Sequence, residues 1–143
     1  MIKRVICVDD DAICLLIEEM VIKQTNIANE IHLVSNATEA ILLLNKFHLL
    51  DNTILQESPT LIFLDLNMPG MDGFSFLDAI DAKNGNVSDN LKVVILSSSI
   101  DIKDINRSKD YKAVVSFISK PLTADAIYQI RQSLGLIGSP KSV

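Results

Sequence analysis

The chain has 143 residues, 48% of them hydrophobic and 22% charged, with a formal net charge of −5. That length suits one domain, and the composition is that of a chain that folds around a core rather than a disordered one. The negative balance, without a Lys/Arg cluster, excludes a phosphate-backbone footprint, so no nucleic-acid contact is expected.

In chain order, Lys3-Arg4 leads into the short apolar run Val5-Ile6-Cys7-Val8, too brief for the apolar core of a signal peptide. No stretch approaches the roughly 18 apolar residues of a spanning helix. A cytoplasmic location without membrane contact is expected. Cys7 and Cys14 form no CxxC pair and read as small buried hydrophobes. The first run reads as a central strand stopped by Asp9-Asp10-Asp11. From Ala12 the pattern turns helical, with Ile13, Leu16, Ile17 and Met20 on the predicted inner face and Glu18, Glu19 and Lys23 on the wet side. Thr25-Asn26 ends that helix.

Ile31-His32-Leu33-Val34 alternates in part, as expected of a strand near the sheet edge with His32 exposed. Asn36 and Glu39 resemble a capping box, and the helix they open runs through Ile41, Leu44 and Phe47. Neither His32 nor His48 has a partner at ligand or triad spacing. A polar connection from Asp51 to Pro59 precedes Leu61-Ile62-Phe63-Leu64, an unbroken apolar run that ends in Asp65 and turns through Pro69-Gly70 and Asp72-Gly73. Such a run reads as a buried parallel strand.

Asp72 is the predicted cap of a helix carrying Phe74, Leu77 and Ile80, broken at Asn84-Gly85-Asn86. Lys92 to Leu96 is a further buried strand, ending at Ser97-Ser98-Ser99. The weakly amphipathic segment from Asp101 to Tyr111 is expected to be the least stable helix. Ala113 to Ile118 is the fifth strand, closed by Ser119-Lys120-Pro121. Thr123 caps a last helix with Ala126, Ile127, Ile130 and Leu134 inward, stapled by Leu122 against Ile127.

Strands alternating with helices predict a doubly wound α/β domain with a five-stranded parallel sheet. There is no GxGxxG and no GxxxxGK[ST], so a dinucleotide or nucleotide cradle is not supported. In a parallel sheet the strand ends share one edge. That edge should gather Asp9-Asp10-Asp11, Asp65, Ser97 and Lys120-Pro121. Crowded carboxylates repel by roughly 4 kcal/mol per pair at 4 Å and an effective dielectric near 20, a cost that a hard divalent cation removes. Acids without His or Cys favour Mg²⁺ over Zn²⁺. With charge neutralised, Asp65 can act as a nucleophile toward phosphorus, and the Ser97 hydroxyl and Lys120 ammonium can share the phosphoryl oxygens.

The segments Val8-Asp9-Asp10-Asp11, Leu64-Asp65-Leu66-Asn67-Met68-Pro69-Gly70-Met71-Asp72-Gly73, Leu96-Ser97-Ser98 and Phe117-Ile118-Ser119-Lys120-Pro121 resemble the receiver domain of two-component response regulators, over about residues 3 to 135. The resemblance implies a flavodoxin-like (βα)5 fold with strand order 2-1-3-4-5, a receiver domain over residues 1–136 and a short tail at 137–143. It implies Asp65 as phosphoacceptor, and a Mg²⁺ site made by Asp10, Asp65, the Asn67 backbone carbonyl and, through water, Asp9. It further implies Ser97 as switch hydroxyl, Lys120 as phosphate contact, Phe117 as the aromatic that moves inward, a cis peptide before Pro121, and Pro69 and Gly73 as loop residues. The implied partners are a sensor histidine kinase or histidine phosphotransfer protein and a separate downstream effector, with the chain a monomer or weak homodimer.

Departures from the family pattern are Ser97 where Thr is commoner and Phe117 where Tyr is. The connections at residues 51–59 and 84–90 are longer, and the Gly-Ala usual before the fifth strand is missing at Lys109 to Lys112. These touch partner surfaces rather than the acceptor site. Two alternatives compete. A phosphotransferase or phosphatase acting on small phosphoesters would want a second acid where Asn67 stands. A phosphorylation-independent receiver-like interaction module would be expected to lose the acids or the lysine, which are all present.

Overall fold

The computed structural model describes residues 2–51, 53–54, 56–83 and 90–135. Within them β1 (Ile2–Val8), α1 (Ala12–Thr25), β2 (Ala28–Val34), α2 (Ala37–Lys46), β3 (Thr60–Asp65), α3 (Gly73–Lys83), β4 (Leu91–Ser97), α4 (Ile102–Ser108), β5 (Val114–Ser119) and α5 (Ala124–Ser133) follow one another. The strands pair in parallel in the order β2-β1-β3-β4-β5, the architecture expected from the sequence.

The inner strands read as unbroken apolar runs because both of their faces are covered. Ile6, Val8, Ile62, Leu64, Val93 and Ile95 enter one core with residues of α2 and α3. Val5, Cys7, Leu61, Phe63, Val94 and Leu96 enter the other, with residues of α1 and α5. The strands β2 and β5 lie at the edges and are only partly buried. Helix starts are fixed by side-chain caps, each worth about 1 kcal/mol. Asp11, Asn36, Asp72, Asp101 and Thr123 accept the N–H groups of Ile13, Glu39, Ser75, Lys103 and Ala126 at 2.8, 2.8, 2.8, 2.9 and 3.2 Å.

Two expectations are corrected. The face of α1 turned to the sheet carries Leu15, Glu18, Ile22 and Thr25, while Ile13, Leu16, Ile17 and Met20 are 68, 55, 39 and 55% exposed. Apolar residues stand nearly all round this helix, so their spacing does not select a face; the stripe chosen by the fold includes a carboxyl. His32 is half-buried rather than exposed, its ring 5.3 Å from that of Phe47, and burial lowers its pKa. The predicted break at Asn84 to Asn86 and the boundary at residues 136–137 fall outside the described residues.

Ser108 is the one fully buried residue within α4, and the helix is held by its C-terminal end. The Arg107 guanidinium lies 4.2 Å over the Phe74 ring and 3.7 Å from Asp78, which also accepts from the Tyr111 hydroxyl. No helix among the described residues is long and apolar enough to cross a membrane.

The turn between β3 and α3 allows no side chain at Gly73. A Cβ there would sit 2.8 Å from both the Asp65 carbonyl oxygen and the Leu66 Cα, backbone atoms that cannot rotate aside. Gly73→Ala should therefore lower stability by roughly 1–3 kcal/mol, the usual cost of overpacking. Urea denaturation reads this, and an unchanged midpoint would show that the turn yields freely.

Candidate functional site

The strand register builds the site. Val8 is paired with Leu64, so Asp9 follows β1 beside Asp65 at the end of β3. Asp65 is paired in turn with Leu96, and Ser97 with Ser119, which puts Ser97 and Lys120 at the same edge. Side chains alternate along a strand, so Asp9 and Asp65 fall on the side of Cys7 and Phe63, the side covered by α1 and α5.

The oxygens of Asp9, Asp10 and Asp65 approach within 4.8 Å of one another. Asp9 is 1% and Asp65 6% exposed, while Asp10 faces solvent. Lys120 reaches into this group from the β5–α5 loop, its Nζ 2.7 Å from Asp9 Oδ2 and 3.6 Å from Asp65 Oδ1. The Lys120-Pro121 peptide is cis. Backbone N–H groups support the carboxylates: Asp11 donates to Asp9 Oδ1 at 2.9 Å and Asn67 to Asp65 Oδ1 at 3.2 Å.

The charges respond to this crowding. Burial and the neighbouring Asp9 raise the Asp65 pKa, against the lowering pull of Lys120 and the Asn67 N–H. Burial alone would depress the Lys120 ammonium, but the hydrogen bond to Asp9 and the charges of Asp65 and Asp9 hold it above its ordinary value. The site is thus short of positive charge. Its donor set is carboxylate oxygen, which suits a hard cation such as Mg²⁺ and not a metal that favours thiolate or imidazole.

The other predicted residues fall around this centre. Ser97 is 1% exposed, but its hydroxyl is turned into the following loop, donating to the Ser99 carbonyl at 2.6 Å. The Ser97 carbonyl accepts the Lys120 N–H at 2.8 Å. Phe117 is half-buried against the α2/α3 core. Asn67 and Pro69 are exposed in the β3–α3 loop, where Gly70 has a φ of +77° and Gly73 donates to the Leu66 carbonyl at 3.0 Å.

Two neighbours were missed. Cys14 Sγ lies 3.8 Å from Lys120 Nζ, with burial raising its pKa against the pull of the lysine. Glu18, assigned to the wet side, is 3% exposed. The available signal was the helical spacing of Leu15, Glu18, Ile22 and Thr25, which the charge at its second position hides.

The sequence profile of the response regulator receiver domain matches residues 5–132. Sporulation initiation phosphotransferase F of Bacillus subtilis is 31% identical over 74 residues, 52% of this chain and 56% of that protein; the chain thus matches about half of that relative's length. A two component response regulator from Cytophaga hutchinsonii has a crystal structure that superposes with a TM-score of 0.81 at 28% identity, covering 93% of this chain and 96% of that one. The fold is shared too by the receiver domain of the Arabidopsis thaliana histidine kinase CKI1, solved in complex with Mg2+ and BeF3-, at 22% identity and a TM-score of 0.73 over 91% and 90% of the two chains.

Because the Asp65 pKa is raised, the folded state binds its proton more tightly than the unfolded chain does. Stability is lost as pH rises above the ordinary carboxylate range, when the unfolded chain releases that proton first. Asp65→Asn should accordingly stabilise the metal-free protein at neutral pH by about 1 kcal/mol, the size to which solvent screening reduces such repulsion. Urea denaturation in chelator measures it; a lowered midpoint would mean that the Lys120 contact outweighs the repulsion.

Proposed function

The chain belongs to the response regulator receiver domain family, and on that premise we propose that it is a phosphoryl-accepting signalling switch, with Asp65 taking its phosphoryl group from a histidine kinase or histidine phosphotransfer protein. The observation that carries this reading is the Lys120 ammonium lying between Asp9 and Asp65 beside three facing carboxylates. An Asp65 oxygen attacks the phosphorus of a phosphohistidine. The P–O bond of an acyl phosphate forms, the P–N bond breaks, and its electron pair stays on the leaving imidazole.

Asp9, Asp10, Asp65 and the Asn67 carbonyl would hold Mg²⁺, which when bound offsets the charge of the crowded oxygens. Lys120 holds the transferred group as a point charge. Ser97 gives up its bond to Ser99 for a phosphoryl oxygen, an exchange of one hydrogen bond worth about 1 kcal/mol for a charge-assisted one of roughly twice that strength. Phe117 then turns further inward, and the altered β4–α4–β5 surface is read by a separate effector protein. Moving such an equilibrium from 1:99 to 99:1 takes about 5.5 kcal/mol, within reach of a few charge-assisted contacts.

The exposed stripe on α1 fits the same reading. Ile13, Leu16, Ile17 and Met20 stand on the helix that starts at Asp11, beside the acid edge. A protein donor must bring its histidine to Asp65 and so lies against this helix, whereas a small donor need not.

The first test is labelling with acetyl phosphate and Mg²⁺. Wild type should gain an acid-stable, base-labile phosphoryl group and Asp65→Asn none; equal labelling of both would sink the acceptor assignment and favour the phosphorylation-independent alternative. The second is Leu16→Glu, at a position exposed enough to leave folding intact. Transfer from a phosphorylated histidine phosphotransfer domain should slow about tenfold, a loss of about 1.4 kcal/mol in encounter, while acetyl phosphate labels at the wild-type rate. The same slowing with both donors would rule out a docking role.

A further inference from the structure

Helix α4 is too short to stand by itself. It has 7 residues, and isolated helices below roughly 12–15 residues are marginal in water. Burial does not make up the difference, since Ser108 is the one residue that α4 buries and Ile102 is 67% exposed. The helix is therefore held from its ends. At the start, Asp101 accepts the Lys103 N–H through its side chain at 2.9 Å and the Ile105 N–H through its carbonyl at 3.0 Å.

At the other end the chain passes into β5 through Tyr111. Its N–H donates to the Ser108 carbonyl at 3.2 Å and its carbonyl accepts the Val114 N–H at 3.1 Å, so one residue closes α4 and opens the strand that carries Phe117. Tyr111 is 9% exposed, with its ring stacked 6.1 Å from that of Phe74. Its hydroxyl donates to Asp78 Oδ1, while Arg107, lying over the same Phe74 ring, is 3.7 Å from Asp78 Oδ2. Both oxygens of one α3 carboxylate are thus engaged, one by this joint and one by the last turn of α4. An ion pair as exposed as that of Arg107 and Asp78 holds little alone; the hydroxyl bond and the packed rings fix its place.

We propose that Asp78 is a positioning residue of the switch: through Tyr111 and Arg107 it anchors the joint between α4 and β5 to α3, so that α4 swings about this joint when its first turn is displaced. Without the anchor, the same disturbance melts so short a helix instead of moving it, and no defined surface results. The proposal rests on the phosphoacceptor reading for what displaces the first turn, through Ser97 and Ser99, but not for the anchor itself. The partners of Asp78 are Tyr111 and Arg107 rather than groups of the acceptor site, so phosphoryl uptake by Asp65 does not depend on it. Its side chain is 60% exposed, and Asp78→Ala leaves the core intact.

The test is amide hydrogen exchange on the full chain with Mg²⁺, read without a phosphoryl donor and again with acetyl phosphate in excess. In the unphosphorylated protein, Asp78→Ala should speed exchange at Tyr111 and Val114 about tenfold. Tyr111→Phe, which keeps the ring, should do nearly the same, and Asp78→Asn, which still accepts from the hydroxyl, should stay near wild type. Unchanged exchange in Asp78→Ala overturns the anchor. On phosphorylation, wild type should change its exchange at Lys103 and Ile105 while Tyr111 and Val114 stay constant. Asp78→Ala should take up the phosphoryl group at the wild-type rate and lose that contrast between the two ends of α4. Retention of the contrast in Asp78→Ala overturns the proposal, since a merely structural carboxylate has no part in it. A wild-type joint that changes as much as the first turn does so too. If wild type takes up no phosphoryl group, the acceptor reading fails by itself, and exchange in the unphosphorylated proteins still decides the anchor.

Discussion

The contact on which the site depends is the one between Lys120 Nζ and Asp9 Oδ2, 2.7 Å long and closed across 111 residues of chain. Asp9 is almost wholly buried and Asp65 nearly so, and two such carboxylates cannot share a sheet edge without a cation. Removing one partner of a buried pair typically costs about 3–5 kcal/mol, because the other charge is left behind. Lys120 also draws on backbone support, its N–H bound to the Ser97 carbonyl. One residue therefore joins the ends of β1, β3 and β4 to the β5–α5 loop.

The register of the sheet makes this convergence unavoidable. Val8 opposite Leu64, Asp65 opposite Leu96 and Ser97 opposite Ser119 leave no freedom in where the next residue of each strand points. A slip of one residue would turn the apolar set of a strand to its other face. Here both faces of β1, β3 and β4 are packed, so a slip would also lift Asp9 or Asp65 out of line. The close approach at Gly73 works to the same end, since its N–H donates to the carbonyl of Leu66, the residue after Asp65.

What the sequence made legible follows from these constraints. Each inner strand is an apolar run that stops at a polar residue, so the five strands, their shared edge and the acids, hydroxyl and lysine gathered there could be read before any coordinates. The face of α1 could not. Ile13, Leu16, Ile17 and Met20 have the spacing of an inner face, yet Leu15, Glu18, Ile22 and Thr25 are turned to the sheet. A carboxyl is costly to bury, so its charge assigns Glu18 to the wet side when the sequence is read alone, although the fold leaves it 3% exposed. The orientation of the Ser97 hydroxyl was equally hidden, because it depends on the path of the loop to Ser99.

That loop links the chemistry to a surface. On the proposed reading, Ser97 must leave the Ser99 carbonyl to reach a phosphoryl oxygen, and two residues beyond Ser99 the Asp101 cap opens α4. The helix buries little of its own and is held chiefly at its far end, where Arg107 lies over Phe74 and against Asp78. On that reading the Arg107 end serves as the pivot when Ser97 moves. Ile100 and Ile102, both more than half exposed, sit at the opposite end, next to the Asp101 cap. The displacement is then largest where apolar side chains already face outward, which is where a partner could read it.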